Sequence, residues 1–293
     1  MPNCTLCPRL CGVNRTAGKL GFCGQSETLR IARAALHPFE EPPISGVRGS
    51  GTIFFVGCSL RCVFCQNRTI SRAQQVGQAI SQQELADRML SLQELGAHNI
   101  NLVTPTHFAD QIASVLERIK PRLTVPVVWN SSGYERVDTL RRLEGLVDIY
   151  LPDFKYASPA LAERYSAASD YPQVVTEALS EMYRQVGRYA IDEQGLLQKG
   201  LLIRHLVLPG SRQDSIAVLQ ALAELFAPSE ILLSLMSQYT PEFATDCPHT
   251  ALHRRLTTFE YRSVAEFALS LGFDGFFQER ASASSDYTPA FEP

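Results

Sequence analysis

Short apolar runs alternate with segments of helical periodicity from about residue 50 onwards. The runs are rich in β-branched or aromatic residues, which is typical of buried strands, and the segments between them repeat apolar residues once per helix turn. This alternation predicts βα units and a parallel sheet. The expected strands are GTIFFV (51–56), INLV (100–103), VPVVWN (125–130), VDIYL (147–151), LLIRHLVL (201–208) and ILLSLM (231–236).

Several helices carry recognisable start or stop signals. Ser81 and Glu84 form a capping box before the first helix, and Thr257 with Glu260 forms another before the last. The helix after the fifth strand ends at Pro228. The run DGFFQ (274–278) predicts a further strand after the last helix.

Polar motifs follow the strands where each of them ends. They are the cysteine-rich loop after the first strand, TPTH (104–107), NSSGY (130–134), PDFK (152–155) and SQYTP (237–241). Parallel α/β sheets and barrels bind ligands at the carboxyl ends of their strands. We therefore expect one site assembled from many loops.

The composition changes this picture little. The chain has 293 residues, 45% apolar and 19% charged, with a net charge of −3, so neither disorder nor an affinity for nucleic acid or anionic membranes is expected. The start MPNCTLCPRL does not read as a secretory signal, and we expect a cytoplasmic protein. In a reducing compartment, clustered thiols are metal ligands or catalysts more often than disulfides.

Seven of the eight cysteines are clustered, and Cys247 is interpreted as an isolated thiol. Cys58, Cys62 and Cys65 lie within one short loop after the first strand. Three thiolates suit a metal centre that keeps one position open, such as a [4Fe–4S] cluster. The alternative is a zinc loop completed by a remote His.

A second cluster lies at the N-terminus. Its cysteines are Cys4, Cys7, Cys11 and Cys23, among glycines that permit tight turns. Four thiolates make a closed site, and so short a segment cannot build an adequate core of its own. We expect a metal-stapled knuckle that holds either zinc or an auxiliary [4Fe–4S] cluster, with disulfides as the alternative.

The loop motif CxxxCxΦC, with Phe64 as its aromatic residue, resembles that of the radical S-adenosylmethionine (SAM) superfamily. The resemblance implies a [4Fe–4S] cluster whose open iron binds the amino and carboxylate groups of SAM. Its reduction cleaves the sulfonium and gives a 5'-deoxyadenosyl radical. Phe64 sits where that family packs an aromatic residue beside the adenine.

The segments CTLCPRLCGVNR, WNSSGY, LPDFKY, IRHLVLPG and MSQYTP extend the resemblance to PflX-like proteins, relatives of pyruvate formate-lyase activating enzyme. That relation implies hydrogen abstraction from a glycine of a partner enzyme. Asp153 and Lys155 match the Asp-x-Lys stretch that helps to hold cofactor and substrate peptide, unless they only form a buried ion pair. The chain has TPTH where activating enzymes usually carry Gly-Gly-Glu.

Other candidates follow from their places at the strand ends. Thr104 and His107 should face the ligand, unless Thr106 only caps a helix beside a solvated His. Arg204 and His205 point to opposite faces of one strand, and Arg204 suits a cofactor carboxylate. Asn130 and Ser132 are candidates for binding the ribose or carboxylate of the cofactor, unless they only form a turn at Gly133. Gln238 is a candidate for binding the adenine or the substrate, unless it only packs in its loop.

Together these features predict an incomplete (β/α)6 TIM-like barrel, over residues 46–280, with a cysteine-rich knuckle and linker at 1–45 and a tail at 281–293. The expected function is SAM cleavage for hydrogen abstraction from a protein or peptide, with flavodoxin or ferredoxin as reductant. Two alternatives stay open: a radical SAM enzyme acting on a small metabolite, and a non-catalytic iron–sulfur electron carrier.

Overall fold

The computed structural model describes residues 3–72 and 76–278. The tail predicted at 281–293 lies outside the described residues. The strands are β1 (Arg30–His37), β2 (Ser50–Phe55), β3 (Gln78–Ala79), β4 (Ile100–Val103), β5 (Val127–Ser131), β6 (Ile149–Pro152), β7 (Ala190–Ile191), β8 (Leu197–Leu206), β9 (Leu232–Met236) and β10 (Gly275–Phe277). All six expected strands and the further strand near the C-terminus are therefore confirmed.

The α-helices of the described residues are α1 (Pro42–Ser45), α2 (Arg68–Ser71), α3 (Gln82–Glu94), α4 (Ala109–Ile119), α5 (Val137–Arg141), α6 (Pro159–Ser166), α7 (Tyr171–Val186), α8 (Arg212–Leu225) and α9 (Thr258–Ser270). Both expected capping boxes are present, at the starts of α3 and α9. Within the described residues, no helix has the length and hydropathy needed to cross a bilayer.

The strands form one open sheet in the order β10-β9-β8-β6-β5-β4-β2-β1-β3, with β7 paired to β8. The neighbours from β2 to β10 along this order are parallel, whereas β1 pairs antiparallel with β2 and β3 pairs antiparallel with β1. Helices such as α3 and α4 bury Met89, Ile112 and neighbouring apolar residues in the main core. This is the predicted α/β fold, an incomplete barrel.

The inner face of the sheet changes character along its strands. Val128, Leu151 and Leu202 pack together in a small apolar cluster on β5, β6 and β8. Side chains two residues apart lie on the same face of a strand, and two residues further on stand Asn130, Asp153 and Arg204. The interior is therefore apolar towards the start of these strands and polar at their carboxyl ends, where the candidate site lies.

The strand β1 did not follow from the sequence pattern. It lies within the range 1–45 that was expected to be knuckle and linker, yet it pairs with β2 from Ile31 to His37. Its sequence RIARAALH has two arginines and mostly small apolar residues, so it gives neither a clear alternation nor a long apolar run. The sheet consequently begins before residue 46.

Candidate active site

The loop after β2 places three thiols on the wall of a cavity of about 210 Å³. Gly57 has a φ of +93° and Arg61 a φ of +58°, and these left-handed residues fold the loop back on itself. Cys62 is buried, whereas Cys58 and Cys65 are half-buried. All three line the cavity, which brings the predicted ligands together.

Each of these thiols accepts a hydrogen bond from the protein. The Leu60 amide donates to Cys58 Sγ over 3.4 Å, and the hydroxyls of Ser166 and Ser71 donate to Cys62 Sγ and Cys65 Sγ over 3.1 and 3.4 Å. Burial raises the pKa of Cys58, and it raises that of Cys65 to about 11. Thiolates at these positions need a positive group beside them, which a metal centre supplies.

A network of buried charges lines the same cavity. Asp153 accepts from Arg204 Nε at 2.9 Å and from Lys155 Nζ at 2.5 Å. Arg204 also donates to Asn130 Oδ1 at 2.7 Å and to Glu40 Oε2 at 3.3 Å. Burial alone would raise the pKa of Asp153, but Arg204 and Lys155 hold it below its ordinary value. Asp153 therefore favours its ionised form beside Arg204 and Lys155, whose pKa values it raises in turn.

Four further predicted residues line the same cavity, and one does not. Phe64 makes edge-on contacts with Tyr156, Tyr165 and Tyr239, at centroid distances of 6.5, 6.2 and 6.2 Å. Ser132 Oγ is buried and has no hydrogen-bond partner among the described residues, so it is available to a ligand. The predicted residues on the lining are Cys58, Cys62, Phe64, Cys65, Thr104, Asn130, Ser132, Asp153, Lys155, Arg204 and Gln238.

His107 is the predicted residue that lies away from this lining. A 3-10 helix over Thr106–Phe108 turns its ring back towards the loop, where Nε2 donates to the Val56 carbonyl at 2.7 Å. Burial lowers the pKa of His107 to about 3, so the ring is neutral. Its own carbonyl accepts from Arg15 of the N-terminal segment. In this position His107 supports the loop and does not face the cavity.

The N-terminal cysteines form a compact knuckle over residues 4–23. Backbone bonds run from Cys4 N to Val13 O and from Gly12 N to Cys4 O, at 3.0 and 3.1 Å. Cys7 and Cys23 are buried. A Cβ added at Gly21 would stand 3.3 Å from Cys11 Sγ and 3.4 Å from Cys23 Sγ, so a larger residue would crowd two thiols.

The thiol groups are not arranged around single ions. Within residues 3–72 and 76–278, no three His, Cys, Asp or Glu side chains surround one metal-ion position. An iron–sulfur cluster does not require such an arrangement, because each thiolate binds a different iron.

Sequence reasoning gave no role to Glu40, and it did not single out His37. Both line the cavity, and Glu40 also accepts from Asn130 Nδ2 at 3.3 Å. They reach it because β1, which ends at His37, pairs with β2 and so brings the segment that follows it to the cavity. The run HPFEEPP has no periodicity that would point to a site, so only the pairing of β1 could have identified Glu40.

Gly57, in the three-cysteine loop, packs closely against the knuckle, and this contact leads to a prediction. A Cβ at Gly57 would stand 2.6 Å from the Cys23 carbonyl oxygen, whereas Gly145, with a φ of +76°, has open space around it. Gly57→Ala should lower the free energy of unfolding by roughly 1–3 kcal/mol more than the control Gly145→Ala, which carries only the conformational penalty of about 1 kcal/mol. Urea unfolding followed by circular dichroism measures both. Equal losses in the two variants would contradict the close contact.

Glu135 gives a second prediction, about pH. It is buried and accepts from Thr106 Oγ1 at 2.7 Å and from Trp129 Nε1 at 3.2 Å. Burial raises its pKa from 4.5 to about 7. The native state therefore binds more protons than the unfolded state between these values, and stability should fall as pH rises through this window.

The variant Glu135→Gln keeps the acceptor Oε1 and removes the ionisation. It should be more stable than the native protein at pH 8, by something on the order of 3 kcal/mol at most, and should lose the decline in stability between pH 4.5 and 7. The exposed control Glu117→Gln should keep that decline. Parallel pH profiles for the native protein and Glu135→Gln would contradict this account.

Comparison with known proteins identifies a family and relatives for this chain. A sequence model described as the radical SAM superfamily matches residues 52–210. An uncharacterized protein of Methanocaldococcus jannaschii is 29% identical over 283 residues, which cover 93% of this chain and 76% of that protein.

Two solved structures share the fold. They are Streptococcus suis SuiB bound to the precursor peptide SuiA, with a TM-score of 0.53 and 13% identity, and SuiB bound to S-adenosylmethionine, with a TM-score of 0.52 and 10% identity. The matches cover 77% and 76% of this chain and 48% of each SuiB chain, so the chain spans about half the length of these structures. At such identities the likeness concerns the fold alone.

Proposed function

Because the chain belongs to the radical SAM superfamily, we propose that Cys58, Cys62 and Cys65 hold its [4Fe–4S] cluster and that SAM binds in the adjoining cavity. One observation carries the proposal: the three thiols line the same cavity as the charged network at the strand ends. Bound there, the cluster, once reduced by an external one-electron donor, would cleave the sulfonium of SAM into methionine and a 5'-deoxyadenosyl radical, and that radical would remove a hydrogen atom from a substrate. The protein is thus a radical SAM enzyme.

The residues of the cavity fit these groups. Three sulfur atoms, each accepting one hydrogen bond, suit iron, and the unpartnered Ser132 hydroxyl suits a polar ligand. A SAM molecule carries an ammonium, a carboxylate and ribose hydroxyls. The carboxylates of the network can bind the ammonium group of SAM, and its cations can bind the carboxylate group.

We assign the roles within the network from its contacts. Asp153 and Asn130 orient Arg204 with bonds of 2.9 and 2.7 Å, and the contact of Arg204 with Glu40 is longer, at 3.3 Å. Arg204 is therefore held with its Nη1 group, which has only the longer contact, available to a cofactor carboxylate, while Lys155 is paired with Asp153. Phe64 packs beside the adenine, and Thr104, Ser132 and Gln238 bind the polar edges of the cofactor.

The substrate we propose is a peptide or a segment of a protein. A second cavity, of about 470 Å³, shares Phe39, Glu40, Arg204 and Gln238 with the first and extends to β10. These four shared residues make the two cavities adjacent, so a chain segment bound in the second would lie beside the first. SuiB, which shares this fold, was solved with a precursor peptide bound. The residue that gives up hydrogen, for which a glycine is our candidate, would approach from the second cavity.

Deuterium transfer tests the substrate class. The reconstituted protein, with SAM and either dithionite or a reduced flavodoxin or ferredoxin, is given a dialysed protein fraction or the small-metabolite fraction of the same deuterated cells of the source organism. We expect deuterium in 5'-deoxyadenosine from the protein fraction. Deuterium from the metabolite fraction alone would overturn the peptide proposal and leave the radical chemistry in place.

We also propose that Cys4, Cys7, Cys11 and Cys23 bind one metal centre; because these thiols do not surround a single-ion position, a second iron–sulfur cluster fits them better than zinc. Four thiols within residues 4–23, two of them buried, support this. Metal analysis of the purified protein and of Cys7→Ser tests it. We expect the variant to lose the metal of the knuckle and to keep the iron of the loop. Equal zinc and iron contents in both proteins would contradict the site.

A further inference from the structure

One arginine of the knuckle ties three separate segments together. Arg9 lies between Cys7 and Cys11. Its guanidinium donates to the carbonyls of Ser59 and Leu60, at 2.9 and 3.3 Å, inside the three-cysteine loop. It also donates to the carbonyls of Ser166, at 2.8 Å, and Ala167, at the end of α6. A single side chain thus satisfies four carbonyl oxygens outside the knuckle.

Aromatic rings hold this guanidinium in position. It stacks 3.9 Å from the ring centroid of Phe22, in the knuckle, and 5.2 Å from that of Tyr134. Arg61, from the loop, approaches the same Phe22 ring at 5.2 Å. Such contacts fix the plane of the fork, which a flexible ammonium group would not provide. Phe22 therefore stands between one arginine of the knuckle and one of the loop.

The end of α6 connects Arg9 with a sulfur atom. Ser166, whose carbonyl Arg9 binds, donates its hydroxyl to Cys62 Sγ at 3.1 Å. Because that hydroxyl donates to sulfur, Tyr156 is left to donate to Ser166 Oγ, at 2.9 Å. The amide of Val63 also binds the Tyr165 carbonyl at 2.8 Å. Two sets of contacts thus fix the position of Ser166 relative to Cys62. One is the Val63–Tyr165 backbone bond, and the other is the set of bonds from Arg9.

We propose that Arg9 is a positioning residue of the three-cysteine site: by clamping the loop to the end of α6, it holds the Ser166 hydroxyl against Cys62 Sγ. The proposal rests on the proposed function, since it assumes a cluster at these cysteines. Hydrogen bonds to sulfur stabilise the reduced, more negative state of an iron–sulfur cluster and raise its reduction potential. Arg9 consequently makes the cluster easier to reduce, although it does not touch it.

The test is the reduction potential of the loop cluster, measured by EPR-monitored titration of the anaerobically reconstituted full chain. Arg9→Gln and Ser166→Ala should each lower the potential. The double variant should show only the shift of Ser166→Ala, because Arg9 acts through Ser166. The matched control is Lys19→Gln, an exposed charge of the same knuckle, which should leave the potential unchanged.

Arg9→Lys separates clamping from charge. A lysine keeps the positive charge but cannot bind four carbonyls as a planar fork. The reduction potential of the cluster in Arg9→Lys should therefore be lowered, as in Arg9→Gln. A native potential in Arg9→Lys would overturn the proposal in favour of simple electrostatics, and additive shifts in the double variant would overturn it as well. If circular dichroism shows that Arg9→Gln does not fold, Arg9→Lys replaces it. Arg9→Lys is then compared with Ser166→Ala and with the double variant Arg9→Lys/Ser166→Ala.

The failure of this inference differs from the failure of the proposed function. A native protein with no reducible cluster in the three-cysteine loop would refute the proposed function. A native protein whose cluster is reduced normally, together with Arg9 variants of native potential, would refute the positioning role alone.

Discussion

Replacing Cys62 by Ser is expected to abolish the cleavage of SAM by the reconstituted protein, to the background rate of a sample without enzyme. Cys62 is buried at the centre of the loop and is the thiol that Ser166 binds at 3.1 Å. A serine oxygen is a poor ligand for iron in such a cluster, so the open site would not assemble in its native form. Anaerobic reconstitution followed by chromatography of 5'-deoxyadenosine measures the loss.

The matched control is Cys247→Ser, the same substitution at a buried cysteine that belongs neither to the three-cysteine loop nor to the knuckle. It should retain native cleavage and native iron content. Circular dichroism of both variants shows whether the fold persists. A folded Cys62→Ser protein that still cleaves SAM at the native rate would refute the assignment of the loop as the cluster site.

The second large effect is expected at Asp153. This carboxylate faces both Arg204 and Lys155, and all three side chains are largely buried. Asp153→Asn removes one negative charge and leaves two buried cations with weakened partners. Breaking a buried ion pair by removing one partner costs about 3–5 kcal/mol. We expect a loss of stability of that order and a SAM affinity at least about tenfold weaker, because Arg204 loses the group that orients it.

The control for this variant is Asp138→Asn. Asp138 also contacts two arginines, Arg136 and Arg141, but its side chain is 62% exposed. Exposed ion pairs contribute about 0–1 kcal/mol, so this change should be nearly neutral. Urea unfolding and isothermal titration with SAM compare the two. Similar small effects in both variants would show that the strand-end network does not position the cofactor.

The sequence predicted the sheet well because its parallel strands are buried on both faces. Such strands are nearly continuous apolar runs, and their ends are marked by polar motifs that the fold brings to one edge. Asn130, Asp153 and Arg204 could be assigned to one site for this reason. Their partners could not all be assigned: Glu40 joins them only through the antiparallel pairing of β1, whose residues show little periodicity.

His107 illustrates the limit of reasoning from strand ends. It follows β4, as expected for a ligand-facing residue, but the 3-10 helix over Thr106–Phe108 turns its ring away. Its bond to the Val56 carbonyl then makes it a support of the cysteine loop. The contact of Arg9 with that loop was equally hidden, because it spans fifty residues of sequence. Local spacing identified the cysteine clusters and could not show that the knuckle contacts the three-cysteine loop through Arg9.

The measurement that tests the central claim most directly is the EPR spectrum of the reduced cluster before and after SAM is added, with 5'-deoxyadenosine assayed in the same sample. An open iron at Cys58, Cys62 and Cys65 predicts a change of the spectrum on binding, followed by formation of 5'-deoxyadenosine. An unchanged spectrum and no 5'-deoxyadenosine, from a protein with its loop cluster fully assembled and reduced, would contradict the account and favour an electron carrier.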